Sequence, residues 1–225
     1  MNGLSGVIDL EQIQKNPKVR AYIQAADDFL AALGYTEHSF RHAGFVAKVA
    51  RNILLKLDYP KRMAELAAIA GYLHDIGNIC GRDGHGPAGA LIAFKLLEDM
   101  GMDPSEIGKI MIAISNHEEE KGIPMDPITA ALILADKSDV HCSRVRNPDI
   151  ISFDIHDRVN YAVRKSFLNI DKENKVITLE IEIDTRISQV MEYFEIFLSR
   201  MLISRKSAHI LGCDFGLKIN GVKFL

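Results

Sequence analysis

Apolar residues recur at intervals of three and four along the first two thirds of the chain, which predicts six amphipathic helices. Three of them have a clear start signal, because an Asn or Asp residue precedes a proline at Asn16, Asp103 and Asp126. Thr36 is the expected cap of the second helix, and Pro60 is expected to open the third. The predicted spans are 16–33, 36–57, 60–77, 87–100, 103–117 and 126–136.

The pattern changes after about Pro148. A short helix is expected around 157–163, and β-branched residues at alternating positions predict a hairpin of 165–170 and 176–183. A long amphipathic helix should follow over 187–211, and residues 213–225 are expected to add a strand or a second hairpin turning at Asn220-Gly221. The predicted fold is therefore mainly α, with a helical bundle over 1–148 and a small C-terminal α+β appendage over 149–225.

Polar residues end two of the apolar runs. A buried carboxylate costs several kcal/mol unless it is paired or binds a metal, so residues in such places need partners. Other histidines lie on inward helix faces, and one lies in a glycine-rich stretch expected to be a loop over 78–86. Each alone is more typical of a packed or surface residue, but a helical bundle brings inward faces together and builds metal sites in its core. The predicted metal ligands are His42, His74, Asp75, His85, His117 and Asp136.

The order of these residues resembles the H…HD…D pattern of the HD-domain phosphohydrolase superfamily over about residues 20–146. The matching elements are His42, the His74-Asp75 pair and Asp136, while His85 and His117 match the branch that binds two metals. The sequence around these two histidines is similar to the diadenosine tetraphosphate hydrolase branch of the family and, more distantly, to its cyclic-dinucleotide phosphodiesterases. The resemblance implies that the first four residues hold one metal and the two further histidines a second, with Asp75 bridging.

A nitrogen-rich ligand set suits Fe, Mn, Co, Ni or Zn better than Mg or Ca. Two divalent ions would leave the site cationic and attractive to a phosphate group, which a metal-activated water would attack at phosphorus. Asp75, Arg82 and Lys137 are therefore the predicted catalytic residues, the last two as phosphate-binding cations. Arg144 and Arg146, expected further along the same helix as Lys137, are weaker candidates. Many relatives carry lysine at the position of Asn78, which supplies no charge.

The amino-acid composition limits the classes of binding partner that we expect for the chain. With 27 basic and 30 acidic residues the net charge is −3, which argues against an extended nucleic-acid partner or a membrane surface. The three cysteines form no Cys-x-x-Cys motif, and no apolar run approaches the roughly 20 residues that span a bilayer. We expect a cytoplasmic enzyme that acts on a small phosphorylated substrate such as a nucleotide, with a homodimer as one possible assembly.

The leading interpretation is a metal-dependent phosphohydrolase, either a phosphatase or a phosphodiesterase. The alternatives are a di-iron oxygenase on the same scaffold and a ligand-binding regulatory module with a vestigial metal site. All six ligand positions being filled argues against the module. Among the remaining residues, His38 is expected at the pocket rim and Glu118–Glu120 at a solvated helix end. A structural or surface role is expected for His141, His156 and His209.

Overall fold

The computed structural model describes residues 7–146 and 154–225. The predicted domain boundary at 148/149 lies outside the described residues. The helices are α1 (Leu10–Lys15), α2 (Pro17–Ala32), α3 (Phe40–Lys56), α4 (Lys61–Leu73), α5 (His85–Asp99), α6 (Pro104–Ser115), α7 (Pro127–Lys137), α8 (Ile155–Ala162) and α9 (Val190–Ile210). Two short 3₁₀ helices cover Ile76–Cys80 and Cys142–Arg144, and the strands are β1 (Val163–Asp171), β2 (Val176–Ile183), β3 (Asp214–Ile219) and β4 (Val222–Lys223). The predicted fold class, mainly helical with a small C-terminal sheet, is confirmed.

The three start signals read from the sequence are correct. The side chains of Asn16, Asp103 and Asp126 each accept a hydrogen bond from a backbone N–H of the first turn, and a proline follows at the first helical position. These side chains satisfy N–H groups that have no partner inside the helix, and this fixes where α2, α6 and α7 begin.

Other boundaries differ from the prediction. Ser39, not Thr36, caps α3. A short helix, α1, precedes α2 and begins with a capping box at Asp9. Helix α7 ends at Lys137, so the prediction that Arg144 and Arg146 continue the same helix is wrong. The chain leaves the helix there because buried polar contacts of the following residues replace the helical hydrogen bonds.

The stretch expected as a glycine-rich loop is largely helical. Helix α4 ends at Leu73, a 3₁₀ turn follows, and α5 already begins at His85 rather than at Pro87. Gly84 adopts φ +70°, a conformation that residues with a Cβ rarely adopt, and it turns the chain directly into α5. The prediction missed this because the apolar spacing starts only after the first turn of the helix.

Helix α4 is the centre of the bundle, and residues 66–78 are all buried. It packs against α3, α6 and α7, while α5 pairs with α6. A Cβ at Gly71 would lie 3.0 Å from the Cα of Ala47, so the glycine lets α3 and α4 approach closely. The polar residues that follow α4 are thereby carried into the middle of the molecule.

The C-terminal part is a four-stranded sheet in the order β1-β2-β3-β4. The predicted hairpin of β1 and β2 is present, with Leu168 opposite Leu179. Strand β3 pairs parallel to β2, and the long helix α9 makes the connection between them. Helix α9 packs on α7 on one side and on β3 on another, so it joins the sheet to the bundle. Every helix within the described ranges is too short or too polar to cross a bilayer.

Candidate active site

The six predicted ligand residues converge at one place in the bundle core. The Nε2 atoms of His42 and His74 lie 3.3 Å apart, and those of His85 and His117 lie 3.1 Å apart. The two carboxylates lie between and beside these rings, and all six residues are buried. Residues that are up to 94 positions apart in sequence thus form a single cluster, with ligand atoms from α3, α5 and α7 and from the segments just after α4 and α6.

Asp75 connects the two histidine pairs. Its Oδ2 lies 3.1 Å from His74 Nε2 and 3.4 Å from His42 Nε2, while its Oδ1 lies 3.5 Å from His85 Nε2. Asp136 approaches only the first pair, with Oδ1 3.4 Å from His42 Nε2. One carboxylate therefore directs one oxygen to each half of the cluster, which is the arrangement expected of a bridging residue.

The hydrogen bonds of the other ring nitrogens fix the tautomers. The Nδ1 atoms of His74, His85 and His117 contact the carbonyl oxygens of residues three positions earlier, at 2.8, 2.8 and 2.6 Å. A carbonyl oxygen only accepts, so each Nδ1 must carry the proton and donate it. In a neutral ring the Nε2 lone pair then faces the centre of the cluster.

Lone pairs that face each other at 3.1–3.3 Å repel unless something positive lies between them. The nearby carboxylate oxygens add negative charge to the same space. Among the described residues, two groups have ligand atoms within 4.8 Å of one another, His42 with His74 and Asp136, and His74 with Asp75 and His117. The donor set fits a divalent cation of the transition series, and the cluster has the character of a metal site.

The pKa values of the same groups show that positive charge is favoured at His74 and disfavoured at His117. Burial alone would lower the pKa of His74, but the carboxylates of Asp75 and Asp136 raise it to about 10. Burial would raise the pKa of Asp75, yet the charge of His74 holds it well below its usual range. The pKa of His117 is well below its ordinary value because of its burial and the nearby cationic groups. Without a metal, a proton on His74 therefore takes the place of the cation.

Asp139 is a supporting residue that the sequence reasoning missed. Its Oδ2 accepts a hydrogen bond from Nδ1 of His42 at 2.6 Å, and Arg41 donates to both of its oxygens. The carboxylate is buried, and the pKa of Asp139 lies well below its usual range, because its bond to His42 and the nearby arginines outweigh the effect of burial. Such an outer partner orients a ligating imidazole. The signal in the sequence was a second aspartate three residues after Asp136.

Asn78 supports Asp75 rather than the pocket. Its Nδ2 donates to the backbone oxygen and to Oδ1 of Asp75, both at 2.9 Å, and its own Oδ1 accepts from Arg82 at 3.1 Å. The residue is fully buried. The position at which many relatives carry lysine is thus used here to hold a predicted ligand and a predicted phosphate-binding cation in place.

Glu118 and Glu119 are held by hydrogen bonds rather than solvated, contrary to the prediction, whereas Glu120 is exposed. Glu118 accepts a hydrogen bond from the backbone N–H of Gly86 at 2.8 Å, which fixes the start of α5. Glu119 accepts from Arg200 and Ser199 of α9, at 2.9 and 3.1 Å. The prediction failed because it placed these residues on a continuing helix, whereas α6 ends at Ser115 and the chain turns inward.

A cavity of about 460 Å³ opens onto the cluster, a size typical of small-molecule sites. Its walls come from the bundle and also from α8 and α9. The predicted cations Arg82 and Lys137 line it, and so does His38. Arg144 also lines the cavity, whereas Arg146 pairs with Asp27 outside it.

The remaining histidines are divided between cavity and surface. His156 lines the cavity from α8, with 61% of its side chain exposed. His141 and His209 are not among the described residues that line it. The roles of the eight predicted site residues as ligands and catalytic groups remain predictions, although the structure places all of them at the same cavity or in its floor.

Two comparisons with known proteins bear on the family. Residues 35–141 match the family model of the HD domain, a range that contains all six residues of the cluster. Uncharacterized protein MJ1020 of Methanocaldococcus jannaschii is 28% identical over 183 residues, which cover 69% of this chain and 70% of that protein. The match covers slightly less than half of the chain, and the convergent histidines and carboxylates within it agree with the similarity of residues 35–141 to an HD domain.

Proposed function

We propose that the protein is a metal-dependent phosphohydrolase that acts on a nucleotide or another small phosphate ester or anhydride. The observation that carries the proposal is the set of Nε2 atoms directed at one another, with their Nδ1 protons donated elsewhere. This arrangement needs positive charge between the rings, which a bound divalent cation would supply. The HD domain, whose superfamily includes metal-dependent phosphohydrolases, supports the same conclusion.

We assign the ligands in two sets. His42, His74, Asp75 and Asp136 would hold the first ion, and His85 and His117 would hold the second, with Asp75 available to both. Bound ions of this kind supply a hydroxide nucleophile near neutral pH and neutralise charge on the phosphate. The distances from Asp75 to both histidine pairs support the shared role.

The residues of the chain have three tasks around this centre. The buried cluster excludes bulk water, which strengthens every electrostatic interaction within it. Asn78 and Asp139 hold Asp75 and His42 at fixed angles. Lys137 and Arg82 direct positive charge into the cavity from two sides, where they bind the oxygens of a phosphate group and lower its negative charge toward an incoming nucleophile.

The proposal is tested by elemental analysis of the purified protein combined with phosphatase and phosphodiesterase assays in Mn, Fe, Co, Ni and Zn. We expect stoichiometric metal and hydrolysis of at least one class of phosphate ester or anhydride. Asp75→Ala should lose both, because it removes the residue between the two histidine pairs. Asp99→Ala, which changes an exposed carboxylate at the end of α5, is the matched control and should retain both.

Two results would contradict the proposal. Full turnover in Asp75→Ala refutes the assigned centre. Metal binding together with oxygen consumption, and without hydrolysis of any tested ester, favours a di-iron oxygenase on the same scaffold.

A further inference from the structure

The C-terminal part of the chain contributes a wall of the cavity, and this wall carries an arginine that no ligand pattern identifies. Arg200 lies on α9 and lines the cavity together with Phe197 and Ile196. Helix α9 belongs to the C-terminal appendage and lies beyond the residues that match the HD domain, which end at 141. We propose that Arg200 binds an anionic phosphate oxygen of the substrate, so that the appendage completes the active site.

The guanidinium of Arg200 is held in one orientation. Its central carbon lies 4.0 Å from the centroid of the Phe197 ring, over the face of that ring. Tyr193 packs edge-on against the same ring at 5.1 Å between centroids. Nε of Arg200 donates to Oε1 of Glu119 at 2.9 Å. A guanidinium fixed in this way loses little conformational freedom when it binds an oxyanion.

Part of the guanidinium is free to bind a ligand. Nε and Nη2 both lie 2.9 Å from Glu119 Oε1, and no hydrogen bond of Nη1 is found among the described residues. Arg144 on the same cavity differs in this respect, because its N–H groups donate to the backbone oxygens of Glu37 and Asp139. Arg144 therefore holds the fold together, whereas Arg200 keeps a donor for the cavity.

Arg200 and Lys137 bring two cations together at the cavity. Lys137 lies 3.8 Å from the Glu119 oxygen that Arg200 contacts, so two cations share one carboxylate. Lys137 also donates to Asp136 at 2.6 Å, but that carboxylate belongs to the predicted metal ligands. Arg200, Lys137 and Glu119 together carry one net positive charge, whereas Asp154 and Asp157 add negative charge elsewhere along the cavity, and a phosphate group is an anion that a planar guanidinium and a lysine bind well.

The test measures binding of inorganic phosphate to the metal-loaded protein by calorimetry, and the KM and kcat of any ester that the wild-type protein hydrolyses. We expect Arg200→Gln to weaken phosphate binding and to raise KM by about tenfold to hundredfold, the range for loss of a charge-assisted hydrogen bond. The phosphate affinity and KM of Arg200→Lys should lie between those of the wild type and Arg200→Gln, because lysine keeps the positive charge but not the planar set of N–H donors. Metal content should be unchanged in both variants.

Arg205→Gln is the matched control, since Arg205 is an exposed arginine of the same helix that does not line the cavity. It should bind phosphate as the wild type does. Arg200→Gln alone leaves Glu119 without its partner and is expected to lower the melting temperature. The double variant Arg200→Gln/Glu119→Gln removes both charges and should recover stability. Its phosphate binding is compared with that of Glu119→Gln, which keeps Arg200.

If the double variant binds phosphate as tightly as Glu119→Gln, Arg200 acts only through the fold and the inference is overturned. Unchanged phosphate binding and KM in Arg200→Gln would overturn it too, as would a wild-type protein that does not bind phosphate. The inference rests on the proposed function for the place of the phosphate, but the two fail separately. Arg200-dependent phosphate binding without hydrolysis contradicts only the hydrolase, and hydrolysis that ignores Arg200 contradicts only the inference.

Discussion

Replacing Asp139 by alanine tests whether a residue that would not contact the metal controls how tightly the metal is bound. The variant removes the acceptor of the His42 Nδ1 proton and the partner of both terminal nitrogens of Arg41. Among the four histidines of the cluster, His42 is the one whose Nδ1 bonds a side chain rather than a nearby carbonyl, and its partner Asp139 lies just after the end of α7. Its orientation should therefore depend on Asp139 alone.

Two magnitudes follow from these contacts. Loss of the outer partner of a ligating histidine typically weakens metal affinity by about tenfold to hundredfold. Breaking a buried ion pair costs about 3–5 kcal/mol of unfolding free energy. Arg41 is 37% exposed and keeps its ion pair with Glu37, so we expect the lower end of that range, about 3 kcal/mol.

The assay titrates metal into the metal-free variants and measures their unfolding in denaturant. Asp139→Asn still offers an amide oxygen to His42 and should lose less than about tenfold in affinity. Glu65→Gln is the control, because Glu65 pairs with Arg51 and accepts from the N–H of Leu10 away from the cavity. It should lower stability without changing metal affinity. Wild-type metal affinity in Asp139→Ala would refute the argument that Asp139 orients His42.

Three further predictions follow from the site and the core. Metal affinity should rise with pH up to about 10, by about tenfold per unit for each proton displaced, because the raised pKa of His74 means that the metal-free protein holds a proton there at neutral pH. Calorimetry in buffers of different ionisation enthalpy counts the protons that metal binding releases. If no proton is released at pH 7, the reasoning is contradicted. Gly77→Ala should lower the unfolding free energy by more than about 3 kcal/mol, since the new Cβ would lie 1.9 Å from the backbone oxygen of His85. A denaturation midpoint equal to that of the wild type would contradict the predicted steric clash. Tyr193→Phe should raise stability by about 1 kcal/mol, because the buried hydroxyl has no hydrogen-bond partner among the described residues; a loss of stability in the same measurement would reveal a partner.

The sequence predicted the parts of the structure that depend on local periodicity. The helix starts at Asn16, Asp103 and Asp126 follow from capping chemistry within four residues. The convergence of the cluster followed from inward helix faces, because residues three or four apart on an apolar stripe share its direction. His117 shows the limit, since it lies beyond the end of α6 yet still points inward.

What the sequence did not reveal depends on contacts between distant residues. Arg200 and Glu119 are 81 positions apart, and Asp139 and His42 are 97 positions apart. Helical or strand periodicity cannot indicate that residues so far apart in sequence are in contact. The same holds for the parallel pairing of β2 with β3, which requires that α9 cross over the sheet. Glu119 was misjudged for this reason, because its partner lies on an element whose position the sequence left open.

Three imidazoles of the cluster are oriented by carbonyl groups only three residues earlier in the chain. Each of these hydrogen bonds joins residues within one turn of the chain, so the orientation of the ring does not depend on residues from other elements. Substitutions elsewhere in the molecule can then accumulate without turning these rings away from the centre. The residues of α9 that line the cavity can therefore change without altering the orientation of these rings.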